Sequence, residues 1–470
     1  MTTEVRFAVR TIFWAVFAVT GAAQSASTPG TQDEPQPHAP SKLPGEYPDY
    51  RFHAPIPAPV AEKSEEFRDK YLFGDWLGVR SNLAGRGIKL AVLLITDPFG
   101  NPIGGQQRGA SDYSLMGFDA YLATDRLLGW RGGNFHVAFA VNFGTSLSTN
   151  YVGTSFPVQL ADVADAHLRL TYLSYTQSMF EDRCSIRLGR LTVNSVYGEE
   201  FLASEYFKAF TSVGIDLVPL GFFLNAPGAF GYPDATWGAR IKFEPVKQFY
   251  AMVGAYDGDP NLKQGGRHGV DFSMHGPLFL IGEFGFRRNY GKDSKGLAGD
   301  LKLGGYYNGG SANVFESGLM GQPSQTERGR YGLYVLGDQV LLRFGDSGTD
   351  RHLGAFGAFT FAPDQRVNKV PYFFDTGLVM YGPSRSRPKD FAGFAVVYGS
   401  YSGDLRRAEE IQANPSVGVQ NFEMALESTY GWTIRPGLLL QPDVQYVIHP
   451  NGNKAIRNAL VIGVNIVINL

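Results

Sequence analysis

From Ile88 to Leu470 the chain alternates apolar and polar residues at period two, in one segment after another. No other feature narrows its possible folds as far. A strand turns successive side chains to opposite faces, so this period means sheet with two differently solvated faces. The last segment shows it best. In Asn458–Leu470 (NALVIGVNIVINL), Leu460, Ile462, Val464, Ile466, Ile468 and Leu470 form one apolar row, while Ala459, Gly463, Asn465 and Asn469 bring small or polar groups to the other. Taken singly, this strand suits the edge of a soluble sandwich or the closing strand of a membrane barrel.

Sixteen candidate strands carry the pattern: 88–97, 114–125, 133–143, 167–178, 183–191, 236–245, 248–257, 277–288, 299–307, 330–345, 351–361, 372–381, 391–401, 421–434, 437–448 and 459–469. In 133–143, Phe135, Val137, Phe139, Val141 and Phe143 alternate with Asn134, His136, Ala138 and Asn142. In 437–448, Leu438, Leu440, Val444, Tyr446 and Ile448 alternate with Gln441, Asp443 and Gln445. An even count returns the chain to the side from which it started. The connections also alternate, with long ones such as 98–113, 144–166 and 192–235 on one side and short ones such as 179–182 and 435–436 on the other. Both properties belong to outer-membrane barrels. The fold expected is therefore all-β, a transmembrane antiparallel β-barrel of about sixteen strands over residues 88–470. Sixteen strands leave a water-filled bore, and the 44-residue connection 192–235, with Glu199, Glu200, Lys208 and Asp216, is the natural segment to fold into it.

Residues 1–23 read as a signal peptide. Arg6 and Arg10 precede the apolar run Thr11–Ala23, which ends in small residues and is too short to span a bilayer as a helix. Residues 24–60 hold nine prolines and read as an extended linker, with a tail for peptidoglycan or another periplasmic partner as the alternative. Residues 61–87 read as a short helical segment at the barrel mouth. Asp75 caps it, Trp76, Val79 and Leu83 share a face, and Gly87 ends it. Arg80 lies beside that face as a positive group near the channel.

Composition closes off other classes. Glycine at 58, phenylalanine at 35 and only 18 % charged residues suit strands and turns, and a formal charge of −2 with no basic run excludes a nucleic-acid platform. The single cysteine, Cys184, excludes an internal disulfide framework. His136 and His167 could serve a hydrolase as bases, but no nucleophile motif accompanies them. No His pairing marks a metal site, Asp257 and Asp259 are too few for calcium, and no cofactor is called for. Parity places Arg187, Arg240, Lys242, Glu283, Arg287, Arg343, Glu427, Asp443 and Gln445 on the channel side. Arg190 shares its row with Ile186 and Leu188, so facing the lumen requires a bulge or the end of the strand.

Several runs, in order, resemble the carbohydrate-selective porins of the OprB type. They are GDWLGVRSNLAGRGI at 74–88, GNPIGG at 100–105, LGRL at 188–191, ATWGAR at 235–240, YDGDP at 256–260, YGLYVLGDQ at 331–339 and LQPDVQYVIHPNG at 440–452. The resemblance implies a sixteen-stranded barrel in the bacterial outer membrane, surrounded by its lipids. It also implies passive passage of small sugars through a constriction lined by arginines, for which Arg80, Arg190 and Arg240 stand at matching positions. A general or anion-preferring diffusion porin is the alternative, since it shares everything but the pore lining. The chain ends in Leu470, where such barrels often end in an aromatic residue. Monomer and trimer are both open.

Overall fold

A computed structural model describes residues 64–470, except 163–166, 195–199, 205, 217–218, 227–230, 260–271, 273, 290–295, 345–350 and 413–417. The signal and proline-rich segments of the sequence reading lie outside the described residues. Sixteen strands follow one another around a closed antiparallel barrel. They are β1 (Ile88–Gly105), β2 (Gly109–Ala123), β3 (Gly133–Gly144), β4 (Leu168–Met179), β5 (Cys184–Leu191), β6 (Thr236–Val246), β7 (Phe249–Asp257), β8 (Leu278–Arg288), β9 (Gly299–Asn313), β10 (Thr326–Arg343), β11 (His352–Phe361), β12 (Tyr372–Tyr381), β13 (Phe391–Ser400), β14 (Phe422–Arg435), β15 (Leu438–Ile448) and β16 (Arg457–Asn469). Every strand pairs with its sequence neighbours, and β16 closes the sheet on β1 through Leu93↔Asn469, Thr96↔Ile466 and Phe99↔Gly463.

The two faces divide as the alternation requires. Ile462 is 47 % exposed while Val461 and Asn465 between the outer residues are at 0 %, so the row Leu460 to Ile468 points outward. Phe118, Phe139, Ile241, Phe284, Leu303, Leu333, Phe394 and Val444 continue the exposed apolar band around the barrel. Buried Asn142, Arg187, Arg240, Glu283, Gln441 and Gln445 lie on the other face. A barrel apolar outside and polar inside is built for lipid, because closure satisfies every backbone group of the sheet within the protein.

Two differences from the sequence reading concern strand ends. Residues 98–105 and 109–113, expected in an outer connection, belong to β1 and β2, which pair as far as Asn101↔Gly109. Pro98, Gly100, Pro102 and Gly104 hide this stretch. A register shift between Gly100 and Ile103 accommodates Pro102, and the Asn101 amide bridges the Gly104 and Gln107 carbonyls in place of ladder bonds. At the other end, Arg343 closes β10 as an exposed residue: beyond a bulge between Val340 and Leu342 it pairs with the buried, inward His352, so it keeps the inner row and reaches water where the strand ends.

The chain enters the barrel through two short helices, α1 (Ser64–Lys70) and α2 (Val79–Gly85). Asp75 accepts bonds from the Ser81 amide and hydroxyl at 2.7 and 2.8 Å, and Gly87 takes φ +87° where the chain turns into β1. This segment holds the seam. The Leu72 amide donates to the Asn469 carbonyl at 2.8 Å, and Gly437 lies so close that a Cβ there would sit 2.1 Å from the Leu72 nitrogen.

Candidate functional site

The described residues of two connections fold into the bore: those of L2, within 145–167, and those of L3, within 192–235. L3 runs along the inside of the wall and is fastened at intervals. Leu202 N donates to Glu283 on β8 at 2.9 Å, Ser204 to Asp338 on β10 at 2.7 Å, and Tyr206 meets His352 on β11 at 3.2 Å. The Ala209 carbonyl accepts from Gln441 on β15 at 2.9 Å. The amides of Thr211 and Ser212 donate to Glu427 on β14 at 2.6 and 3.1 Å. The loop then returns by way of Asn225, which accepts from the Val370 amide at 2.8 Å. Between these bonds Phe201, Phe207, Phe210 and Phe222 are buried to 1 % exposure or less. Each contributes roughly 1.5–3 kcal/mol to holding the loop inward.

Where L3 leaves the wall, two adjacent strands set two guanidiniums side by side. Arg187 on β5 and Arg240 on β6 are register partners and so face the same way. Their mutual repulsion is relieved by Glu200 of L3. Arg187 Nη1 donates to Oε1 at 2.6 Å, and Arg240 donates through Nη2 and Nε to the two carboxylate oxygens at 3.2 Å each. Arg240 Nη1 also donates to Ser185 Oγ at 2.9 Å. Burial pushes the Glu200 carboxyl up, but the Arg240 and Arg187 charges outweigh it and hold the group below the usual glutamate value. The result is a closed knot of one anion and two cations, with all three side chains at most 3 % exposed.

Two residues further along β6 the character changes. Lys242 and Arg287 both pair with Glu244, at 3.2 and 2.9 Å, and these three side chains are 23, 14 and 25 % exposed. Both cations lie over the Tyr250 ring, at 5.2 and 4.6 Å from its centre. The Tyr250 hydroxyl in turn donates to Glu283 at 2.9 Å. Water therefore reaches this charged ladder beside the sealed knot.

The residues expected at a constriction thus fall into separate places. Arg187 and Arg240 meet in the knot, with Lys242 in the adjoining ladder. Glu427, Asp443 and Gln445 fasten loops: Gln445 Nε2 contacts the Val158 carbonyl of L2, Thr211 of L3 and Asp443, at 2.9, 3.0 and 2.9 Å. Arg190 is buried and its Nε donates to the Leu170 carbonyl at 2.8 Å. Gly189 beside it takes φ +129°, while the ladders to β4 and β6 run through Gly189 and Arg190 without a register shift. Arg80 stands at the end of the barrel where the chain enters. Its guanidinium lies over the rings of Tyr71 and Trp76, at 3.6 and 4.0 Å, and donates to the terminal Leu470 oxygen. Two functional carboxylates escaped the residue-by-residue reading. Glu200 was visible only as one acid in a long loop, and Glu423, which binds Thr154 and Ser155 of L2, carried no local signal.

Residues 108–470 match the carbohydrate-selective porin, OprB family. The chain is 25 % identical over 444 residues to Porin B of Pseudomonas aeruginosa, covering 87 % of this chain and 93 % of that protein. It is 22 % identical over 427 residues to the putative porin QuiX of Acinetobacter baylyi, covering 85 % and 93 %. The high-pH structure of Pseudomonas putida OprB superposes with a TM-score of 0.79 at 24 % identity, covering 87 % of this chain and all of that one. That superposition shows a shared fold.

Proposed function

The chain belongs to the carbohydrate-selective porin OprB family, and on that premise we propose that it passes small neutral sugars by passive diffusion through a bore narrowed where L3 meets the β5–β8 wall. The kinship supports reading it as an outer-membrane channel protein. The observation that carries the finer reading is the junction of knot and ladder. Arg187 and Arg240 hold Glu200, which sets how far L3 stands into the bore. Lys242, Glu244 and Arg287 then present charge to the water beside it.

Sugar hydroxyls both donate and accept, so a wall that alternates cation and anion offers them partners in either sense. Lys242 and Arg287 share Glu244, which leaves one net positive charge spread over two paired cations; a neutral sugar therefore meets weak contacts and no deep well, as release on the far side requires. The arginines act through position as much as through contact, because both guanidiniums are committed to Glu200.

Swelling of liposomes containing the purified protein tests this. Monosaccharides should enter faster than amino acids and anions of matched size, and equal rates would reduce the protein to a general diffusion porin. Replacing Lys242 and Arg287 by Gln should slow sugar entry roughly three- to tenfold, the scale of one lost hydrogen bond. Replacing Arg240 by Ala should change sugar flux by displacing L3, and unaltered flux removes the knot from the constriction.

A further inference from the structure

His136 projects from β3 into the barrel at 1 % exposure. Its ring is stacked between Tyr121, at 4.1 Å, and Tyr172, at 4.5 Å between centres. Burial of this kind would by itself mark a packed core residue. Both ring nitrogens, however, are aimed at charged groups on other strands. Nε2 is 2.6 Å from Asp119 Oδ1 on β2, and Nδ1 is 3.3 Å from Arg187 Nη2 on β5.

The chemistry of these partners dictates where the imidazole hydrogen sits. A guanidinium has five N–H donors and no lone pair, so Nδ1 must accept. The single hydrogen of the neutral ring then belongs on Nε2, where it faces a carboxylate that only accepts. An imidazolium would set N–H against N–H at Nδ1 and add a second positive charge beside Arg187. The opposite neutral form would do the first of these and would also set a lone pair against Asp119.

We infer that His136 is a positioning residue of the constriction: Asp119 holds it as the neutral Nε2–H form, and its Nδ1 lone pair fixes the Arg187 guanidinium square to Glu200. The inference rests on the reading that the Arg187–Glu200–Arg240 knot sets the bore. It extends that knot into a chain of contacts across the wall, from Asp119 on β2 through His136 on β3 and Arg187 on β5 to Glu200 on L3. Arg187 is thereby held from two sides. Without the His136 contact the guanidinium loses one of its anchors, and Glu200 shifts with it.

Three measurements on the full-length protein test this. Nitrogen-15 NMR of labelled histidine reads the tautomer in the unaltered protein, and a bare Nδ1 with a protonated Nε2 is expected; the reverse assignment, or a doubly protonated ring at neutral pH, overturns the inference. Glucose-induced block of single-channel current then reads the effect on the bore. His136→Leu removes the acceptor and should weaken the block roughly tenfold, the scale of a hydrogen bond to a charged group. His136→Asn places an amide oxygen near the position of Nδ1 and should recover most of that loss. A residue that merely fills space would not distinguish the two, so equal losses overturn the inference. Finally, His136→Leu should add little to the effect of Arg187→Met in the double variant, because both act on one guanidinium. If Arg187→Met alone leaves the block unchanged, the constriction reading fails, while the NMR result still decides the state of His136.

Discussion

Replacing Arg80 by Ala removes a clasp rather than a pore charge, and its cost follows from the contacts. The guanidinium is 3 % exposed, lies 3.6 Å from the centre of the Tyr71 ring and 4.0 Å from that of Trp76, and donates to the last residue of the chain. A hydrogen bond to a charged group contributes about 1.5–3 kcal/mol. Each desolvated cation–ring contact adds roughly 0.5–2 kcal/mol. The expected loss is thus about 2.5–7 kcal/mol, taken from the seam where β16 meets β1 and where Leu72 also holds Asn469. Urea unfolding of the detergent-solubilised barrel, followed by tryptophan fluorescence and by the folded-state mobility shift on unheated gels, measures it. Arg80→Lys keeps the charge but loses the planar fit between two rings, and should recover less than half. A loss below about 1 kcal/mol for the Ala variant, the scale of an ordinary surface ion pair, would refute the clasp. So would a changed sugar flux with unchanged stability, since Arg80 would then act on the bore.

Other expectations concern the loops and the lipid face. Glu427→Leu leaves the amides of Thr211 and Ser212 without their acceptor, so L3 should loosen, with larger single-channel conductance and weaker discrimination among solutes. The Glu200 carboxyl is held below its ordinary value, so its contribution is present above that value and is lost only as pH falls through the lower, folded one. Sugar block should therefore persist down to the usual glutamate range near 4.5 and fail beneath it. Block that disappears above that range argues against the knot. Ile462→Arg puts a charge on the exposed face of β16 and should cost roughly 2–4 kcal/mol in folding into lipid vesicles, as lipid-facing arginines do near mid-membrane.

Much of this architecture is legible in the residues because lipid and water impose opposite demands on alternate positions. Period two marks every strand whose outer row must be apolar, and parity places Arg187, Arg240 and Gln445 on the inner face. What parity leaves out is depth and partnership. Glu427 and Gln445 are on the predicted side, yet they hold backbone groups of loops that arrive from far away in the chain, and Asp443 accepts from Gln445 beside it. Glu200 has no periodic neighbours to announce it. The first hairpin is hidden for a different reason, since Pro98 and Pro102 read as loop where a bulge and the Asn101 amide keep them in the sheet. Arg190 is committed to the Leu170 carbonyl, a backbone partner that no side-chain pattern records.

The route of L3 along the wall also orders events in time. Arg187 and Arg240 are in place as soon as β5 and β6 pair. The loop that carries Glu200, by contrast, is fastened to Glu427 and Gln441, which lie 216 and 232 residues beyond the loop positions they hold. A ring of strands still lacking β14 and β15 would have its guanidiniums and the loop's bonds to β8, β10 and β11, but nothing to hold Ala209, Thr211 and Ser212. On the proposed reading of the bore, discrimination among solutes arrives with the last hairpins, and a barrel that stalls before them would be a hole rather than a filter.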